Sequence, residues 1–336
     1  MPDRQVADLA ALADLCTPWC VRVAATLRIA DLIAAGTTDV RDLAARAGCD
    51  AGALDRVLRH LVSNGVFEQA APGTFALNEA AEGLRGISPG YDLDGIGGRM
   101  ALAWGSLLGA VRTGRPAYHE ILGLPFWDDL NAHSDVAASF DQLMGVAGHG
   151  TPDPQILLSD DWAPVRSVVD VGGGTGALLA EILRARPGIR GILVDLPRTV
   201  TRSAEVFRAA GVAGRITVAG QSFFDPLPAG ADLYLLKNVL ADWPDREATA
   251  ILTRCAEAAR PAGRVVILGG VSPGDRGEAS PELLMMVLLG GKDRTAREFG
   301  ELALQAGLEI SAAGRLPSGR FAIECRPAGG HASPAS

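Results

Sequence analysis

Between residues 21 and 33 the apolar side chains Val21, Ala24, Ala25, Ile29, Leu32 and Ile33 recur at helical spacing, which predicts one amphipathic helix stopped by Gly36. Two more helices are predicted over 40–47 and 51–64. Each follows an Asp or Thr able to accept the free N–H groups of a first turn, Gly48 joins them and Gly65 ends the second. Short runs at 66–68 and 74–77, separated by a turn at Pro72-Gly73, predict a small hairpin. Further helices over 91–113 and 134–147 carry apolar residues on more than one face, as helices packed between domains or subunits do.

From Val165 onward the pattern changes to short β-rich runs alternating with helices, which predicts a parallel sheet covered on both faces. The expected strands are 167–171, 191–195, 215–219, 233–237, 264–268 and 321–325. The last ten residues, 327–336, are small, polar and rich in Gly and Pro, and are expected to be disordered. Three helices followed by a hairpin resemble a winged helix, which raises the question of a DNA partner.

Charge answers it. The chain of 336 residues has a formal net charge of -8, and a partner held by phosphate neutralisation needs clustered Lys and Arg. The helix 51–64 offers Arg56 and Arg59, but Asp50 and Asp55 stand at the end that would meet a groove. No nucleic-acid partner is expected. No apolar run reaches the ~18 residues of a membrane span, and residues 1–13 carry Asp3, Arg4 and Asp8 where a secretory signal would be apolar. The expected location is cytoplasmic, with no membrane contact. Of the five cysteines only Cys16 and Cys20 are close in sequence, one helical turn apart and not in a Cys-x-x-Cys motif, so no metal is expected and the thiols read as small apolar groups.

Candidate chemistry concentrates at residues 168–179, where an apolar strand runs into Gly172-Gly173-Gly174-Thr175-Gly176 and then a helix. In a doubly wound sheet such a turn lets backbone approach a ligand at the carboxyl end of the first strand. Asp195 ends the next strand about twenty residues on, where an acid bonds ribose hydroxyls. The run Asp-Val-Gly-Gly-Gly-Thr-Gly lacks Gly-x-Gly-x-x-Gly spacing and is similar to the S-adenosylmethionine (SAM) motif of class I methyltransferases. Asp170 either faces the amine of that ligand or stabilises the turn.

Phe126-Trp127, the run 140–144, the glycine loop, and the runs 222–228, 236–243 and 290–292 together resemble the bacterial polyketide and plant phenolic O-methyltransferases, with those acting on naphthoate and anthracycline compounds most similar. The resemblance implies an α/β chain with a Rossmann-like SAM-binding methyltransferase domain at 161–326. A mostly helical, winged-helix-like dimerisation domain at 1–90 precedes it, and linking helices at 91–160 roof the pocket. It implies SAM as cofactor, S-adenosyl-L-homocysteine as product, a small aromatic substrate and a homodimer. Gly172, Gly174 and Asp195 would hold the amino-acid and ribose parts of SAM, Ser222 and Phe223 would flank adenine, and Lys237 would touch the cofactor. Phe126, Trp127, Phe140, Met144, Asn238, Ala241 and Met286 would line the substrate pocket.

One part of the pattern is missing. The family's histidine base falls at Ala241, and the acid that orients it falls at Gly269. SAM is an activated donor, so alignment and water exclusion can supply much of the rate, although ionising an ordinary phenol at pH 7 still costs about 4 kcal/mol. The expected function is O-methylation driven by proximity, with His149 as substitute base. The alternative is a SAM-binding family member that catalyses a non-methylating reaction: hydroxylation, decarboxylation or a pericyclic step.

Overall fold

The computed structural model describes residues 7–86, 89–144, 152–272 and 279–329. Its first helices are α1 (Leu9–Leu12), α2 (Cys16–Thr26), α3 (Ile29–Ala34), α4 (Val40–Ala47) and α5 (Ala51–Ser63), followed by strands β1 (Glu68–Ala71) and β2 (Thr74–Ala76). Helices α6 (Glu79–Glu82), α7 (Ile96–Ala103), α8 (Leu107–Thr113), α9 (Tyr118–Leu122), α10 (Phe126–Ala132) and α11 (Ser134–Leu143) come next. An alternating region then runs β3 (Ser167–Val171), α12 (Ala177–Ala185), β4 (Arg190–Asp195), α13 (Pro197–Val200), α14 (Ser203–Ala209), β5 (Ile216–Gly220), β6 (Leu233–Lys237), α15 (Asp245–Ala259) and β7 (Arg264–Leu268). It closes with β8 (Val271–Ser272), α16 (Ala279–Leu288), β9 (Arg294–Thr295), α17 (Ala296–Gln305), β10 (Leu308–Arg315) and β11 (Phe321–Pro327). Packing separates one unit drawn from the ranges Met1–Gly105 and Trp127–Gly145 from a second drawn from Ser106–Phe126 and Val146–Ser336.

In the first unit, Asp39 and Asp50 cap α4 and α5 by accepting the Arg41 N–H at 2.8 Å and the Ala53 N–H at 2.7 Å. Leu43, Leu54, Leu58, Leu61, Phe67 and Phe75 form its core with Ile29 and Ala24. The single helix expected over 21–33 is two, because Arg28 takes a left-handed φ of 57° between α2 and α3. Thr26 marks the break: its hydroxyl donates to the Arg22 carbonyl and accepts the Leu93 N–H. Periodicity hid this because Ala24, Ile29, Ala30 and Ile33 all bury into the same core. The hairpin begins at Glu68, since Phe67 sits at φ 72° in the preceding turn. The helix expected over 91–113 starts at Ile96 and is interrupted by a 3-10 turn at Trp104–Ser106. Helix α11 ends at Leu143, and the remainder of its expected range, from residue 145, lies outside the described residues.

The second unit is a seven-stranded sheet in the order β10-β11-β7-β6-β3-β4-β5. Strands β3 to β7 run parallel, while β11 lies antiparallel to both β7 and β10. Val, Ile and Leu fill β3, β6 and β7 because both faces are covered. One face packs against Ile251, Leu252 and Cys255 of α15 and Phe299 and Leu302 of α17, the other against Leu178, Leu179 and Ile182 of α12 and Phe207 of α14. All six expected strands are present within one or two residues. Strand β10 was not expected: it is a sheet edge whose sequence, Leu-Glu-Ile-Ser-Ala-Ala-Gly-Arg, buries only Leu308.

Between β3 and β6 the strand order reverses, because β4 follows β3 on one side while β6 lies on the other. The carboxyl ends of these two strands therefore flank a crevice, the place where ligands bind in such sheets. Arg294, fully buried, braces the turn that follows β6. It reaches Asp245 Oδ1 at 2.8 Å and donates to the carbonyls of Leu240 and Trp243, both at 2.7 Å. Replacing Arg294 by Ala strands those acceptors, and we expect a loss of about 3 kcal/mol of unfolding free energy, read as a lower denaturant midpoint. An unchanged midpoint would show that the turn holds without it.

Candidate functional site

The loop after β3 is shaped by what its glycines permit. Gly172 (φ 70°) and Gly174 (φ 63°) take left-handed conformations that a side chain resists. A Cβ on Gly172 would stand 2.7 Å from Val239 Cγ2 and 3.5 Å from the Phe223 ring, so both residues close on the backbone there. The Gly174 N–H donates to Asp195 Oδ2 at 2.8 Å, and the Leu196 N–H donates to Asp195 Oδ1 at 2.7 Å. The acid at the end of β4 is thus already oriented by the loop it faces.

Asp170 lies beneath the loop, 2% exposed, with its carboxyl against Gly173. Its Oδ2 has no hydrogen-bond partner among the described residues. Burial, and after it the Asp195 charge, push this carboxyl up to about 7, while Lys237 pulls the other way. Burial also raises Asp195, against the opposing pull of its hydrogen bonds to Gly174 and Leu196. Lys237, at the end of β6, is lowered by burial and then by Arg320. A buried carboxyl with an orphaned oxygen and a second acid at the end of β4 suit a ligand that brings both a cationic amine and hydroxyl groups.

The structure gathers several of the sequence-predicted residues here. Phe223 packs on Phe224 at 5.1 Å between ring centroids, and each meets Trp243 edge-on, at 5.9 Å and 5.0 Å. The Ser222 hydroxyl accepts the Phe224 N–H at 3.2 Å and so fixes the turn that presents Phe223. Asn238, just past β6, has a left-handed φ of 55°. Its side chain fills the space where a Cβ on Gly269 would collide with its Oδ1. Ala241 lies against Gly270, where a Cβ would approach Ala241 Cβ to 2.7 Å. Asn238 and Gly270 therefore leave little free room beside Gly269 and Ala241.

Phe126, 2% exposed, packs edge-on to Tyr118 within the second unit. Trp127 meets Phe140 edge-on at 5.7 Å in the first unit, where Met144 caps α11. Met286 is partly exposed on α16. His149 lies outside the described residues. Sequence reasoning missed Asp242, the neighbour of Ala241. It is partly exposed, no hydrogen bond or ion pair holds its carboxyl among the described residues, and burial alone pushes it up to about 7. The signal available was an acid beside Ala241, five residues past the end of a core strand; nothing in the spacing revealed how closely it is packed.

Among the described residues no helix is long and apolar enough to cross a membrane. Residues 104–309 match the family model of an O-methyltransferase domain, and residues 11–84 that of an O-methyltransferase dimerisation domain. The chain is 44% identical over 311 residues to the 2,7-dihydroxy-5-methyl-1-naphthoate 7-O-methyltransferase of Streptomyces carzinostaticus, covering 91% of this chain and 93% of that protein. It is 39% identical over 317 residues to the aclacinomycin 10-hydroxylase RdmB of Streptomyces purpurascens, covering 89% and 83%. Among solved structures it is similar to the neocarzinostatin-biosynthesis O-methyltransferase NcsB1 in complex with SAM and 2-hydroxy-5-methyl naphthoic acid. The TM-score is 0.86 at 42% identity, over 96% of this chain and 99% of that one.

Proposed function

The chain belongs to the O-methyltransferase family that carries an N-terminal dimerisation domain, and from that premise we propose that it methylates an oxygen of an aromatic, naphthoate- or polyketide-like natural-product intermediate, using SAM. It does so as a cytoplasmic homodimer. The observation that carries this reading is the orphaned, buried Asp170 carboxyl under a glycine loop whose Gly174 N–H is tied to Asp195. SAM, when bound, supplies a methyl group already activated on a sulfonium.

The residues of this chain bind, orient and desolvate. Asp195 takes the ribose hydroxyls, and Asp170 takes the amine, which holds its carboxyl ionised. Gly172 gives the loop backbone access, Ser222 and Phe223 border the adenine, and Lys237 contacts the same ligand. Asn238, Ala241 and Met286 line the acceptor side, together with Phe126. With Ala241 unable to take a proton, that task falls to Asp242, the carboxyl next to it. A group poised near 7 exchanges a proton most effectively at neutral pH.

A second reading has its own support: a relative 39% identical is named a hydroxylase, and the positions of base and orienting acid here are Ala241 and Gly269. Mass spectrometry of products formed with methyl-labelled SAM and hydroxynaphthoate or anthracycline acceptors separates the two. We expect one labelled methyl per product; an unlabelled, chemically altered product would establish the second reading instead.

A further inference from the structure

Two cysteines expected to act as small apolar groups stand in a different setting from the others. Cys255 and Cys325 lie fully in the core, where burial pushes both thiols up to about 12. Cys16 is exposed and Cys20 only partly covered, on one face of α2. Helix α5 brings His60 to the same face, so that one donor atom from each of the three residues lies within 4.8 Å of the others. The two Sγ atoms are 3.9 Å apart. In a tetrahedral zinc site with Zn–S near 2.3 Å the sulfur-to-sulfur edge is about 3.8 Å, so the thiols already stand at metal spacing.

We infer that Cys16, Cys20 and His60 form a binding site for one Zn2+ ion on the dimerisation unit, with water completing the coordination. The sequence expectation of no metal tested spacing along the chain, whereas the third donor arrives from another helix, 40 residues beyond Cys20. The surroundings favour a cation. Asp14, at the start of α2, accepts the Cys16 and Thr17 N–H groups at 2.9 Å and 3.0 Å, and its charge acts on both Cys20 and His60. Thr17 Oγ1 lies 2.8 Å from His60 Nε2 and holds the ring against the thiol-bearing face, the kind of support that orients metal-bound imidazoles.

A disulfide fits the pair less well, because side chains four residues apart on a helix have Cβ atoms about 5–6 Å apart, beyond the ~3.5–4.5 Å that a disulfide takes. A bound dication displaces both thiol protons to solvent and joins α2 to α5, so it stabilises the unit by mass action.

The test uses the reduced, chelator-treated full-length protein, titrated with Zn2+ in competition with a chromophoric chelator and with Co2+ in the visible and near ultraviolet. We expect one ion per chain, sulfur-to-cobalt charge-transfer bands, and a higher melting temperature with Zn2+. Cys16→Ser and Cys20→Ser should each weaken binding by roughly tenfold or more, since even supporting residues of metal sites cost that much, and His60→Ala likewise. Cys49→Ser should leave binding unchanged. Cys16 is exposed, so its replacement tests the site without disturbing the core. Less than one ion per chain, or wild-type affinity in the Cys16→Ser and Cys20→Ser proteins, overturns the inference; so does loss of two hydrogens on mild oxidation with no metal uptake.

Discussion

Asp195→Ala is expected to weaken SAM binding by roughly 10²–10⁴-fold in isothermal calorimetry, the largest effect of any single change in the crevice. Each hydrogen bond to a charged group contributes about 1.5–3 kcal/mol, and two ribose hydroxyls would lose their acceptor together. The loss also reaches the loop, since the Gly174 and Leu196 N–H groups both depend on this carboxylate. Asp195→Asn keeps an acceptor oxygen and gives up the charge, so its affinity should fall between the two. The Asp195 charge also helps to hold Asp170 high, and removing it lets Asp170 ionise more readily. A fold intact by circular dichroism with unchanged affinity would remove Asp195 from the site and, with it, the reading of the crevice as a SAM pocket.

Much of this crevice was visible in the chain, and the reason is local. The run from Val168 to Gly176 encodes strand, turn and helix entry within one segment, and the apolar runs of β6 and β7 are continuous because parallel strands bury both faces. What escaped were features set by contacts between distant segments. Strand β10 pairs along an exposed edge and shows little apolar signal. The break at Arg28 interrupts the backbone without interrupting the apolar stripe. Arg294, which pins the Leu240 and Trp243 carbonyls from a position 50 or so residues away, looks in sequence like any charged residue of a loop. The Cys16, Cys20 and His60 group and the raised carboxyl of Asp242 belong to the same class.

The resemblance expects a base at 241 and its orienting acid at 269, where this chain has Ala241 and Gly269, and both positions are tightly surrounded. Asn238 leans into the room that a side chain at 269 would need, and Gly270 and Gly291 let neighbouring backbone press on the Ala241–Asp242 turn. With the Arg294 brace behind it, that turn is closely surrounded, which desolvates the Asp242 carboxyl with no cation to offset the cost.

Asp242→Asn, which keeps shape and removes the proton acceptor, is accordingly expected to lower kcat by roughly 10²-fold with little change in SAM affinity. In the wild-type enzyme kcat should rise with pH through about 7, as the carboxylate form appears, and level off above it. The variant should lose that limb; His149→Ala should retain it. A second readout does not depend on turnover. The unfolded chain releases this proton near pH 4 and the folded chain only near 7, so wild-type stability falls as pH rises across that window. Asp170 contributes in the same direction, so Asp242→Asn should flatten the decline only in part. If the stability slope flattens while the kcat profile stays the same, the carboxyl is buried as described but takes no proton from the acceptor, and an acceptor that arrives already ionised becomes the mechanism.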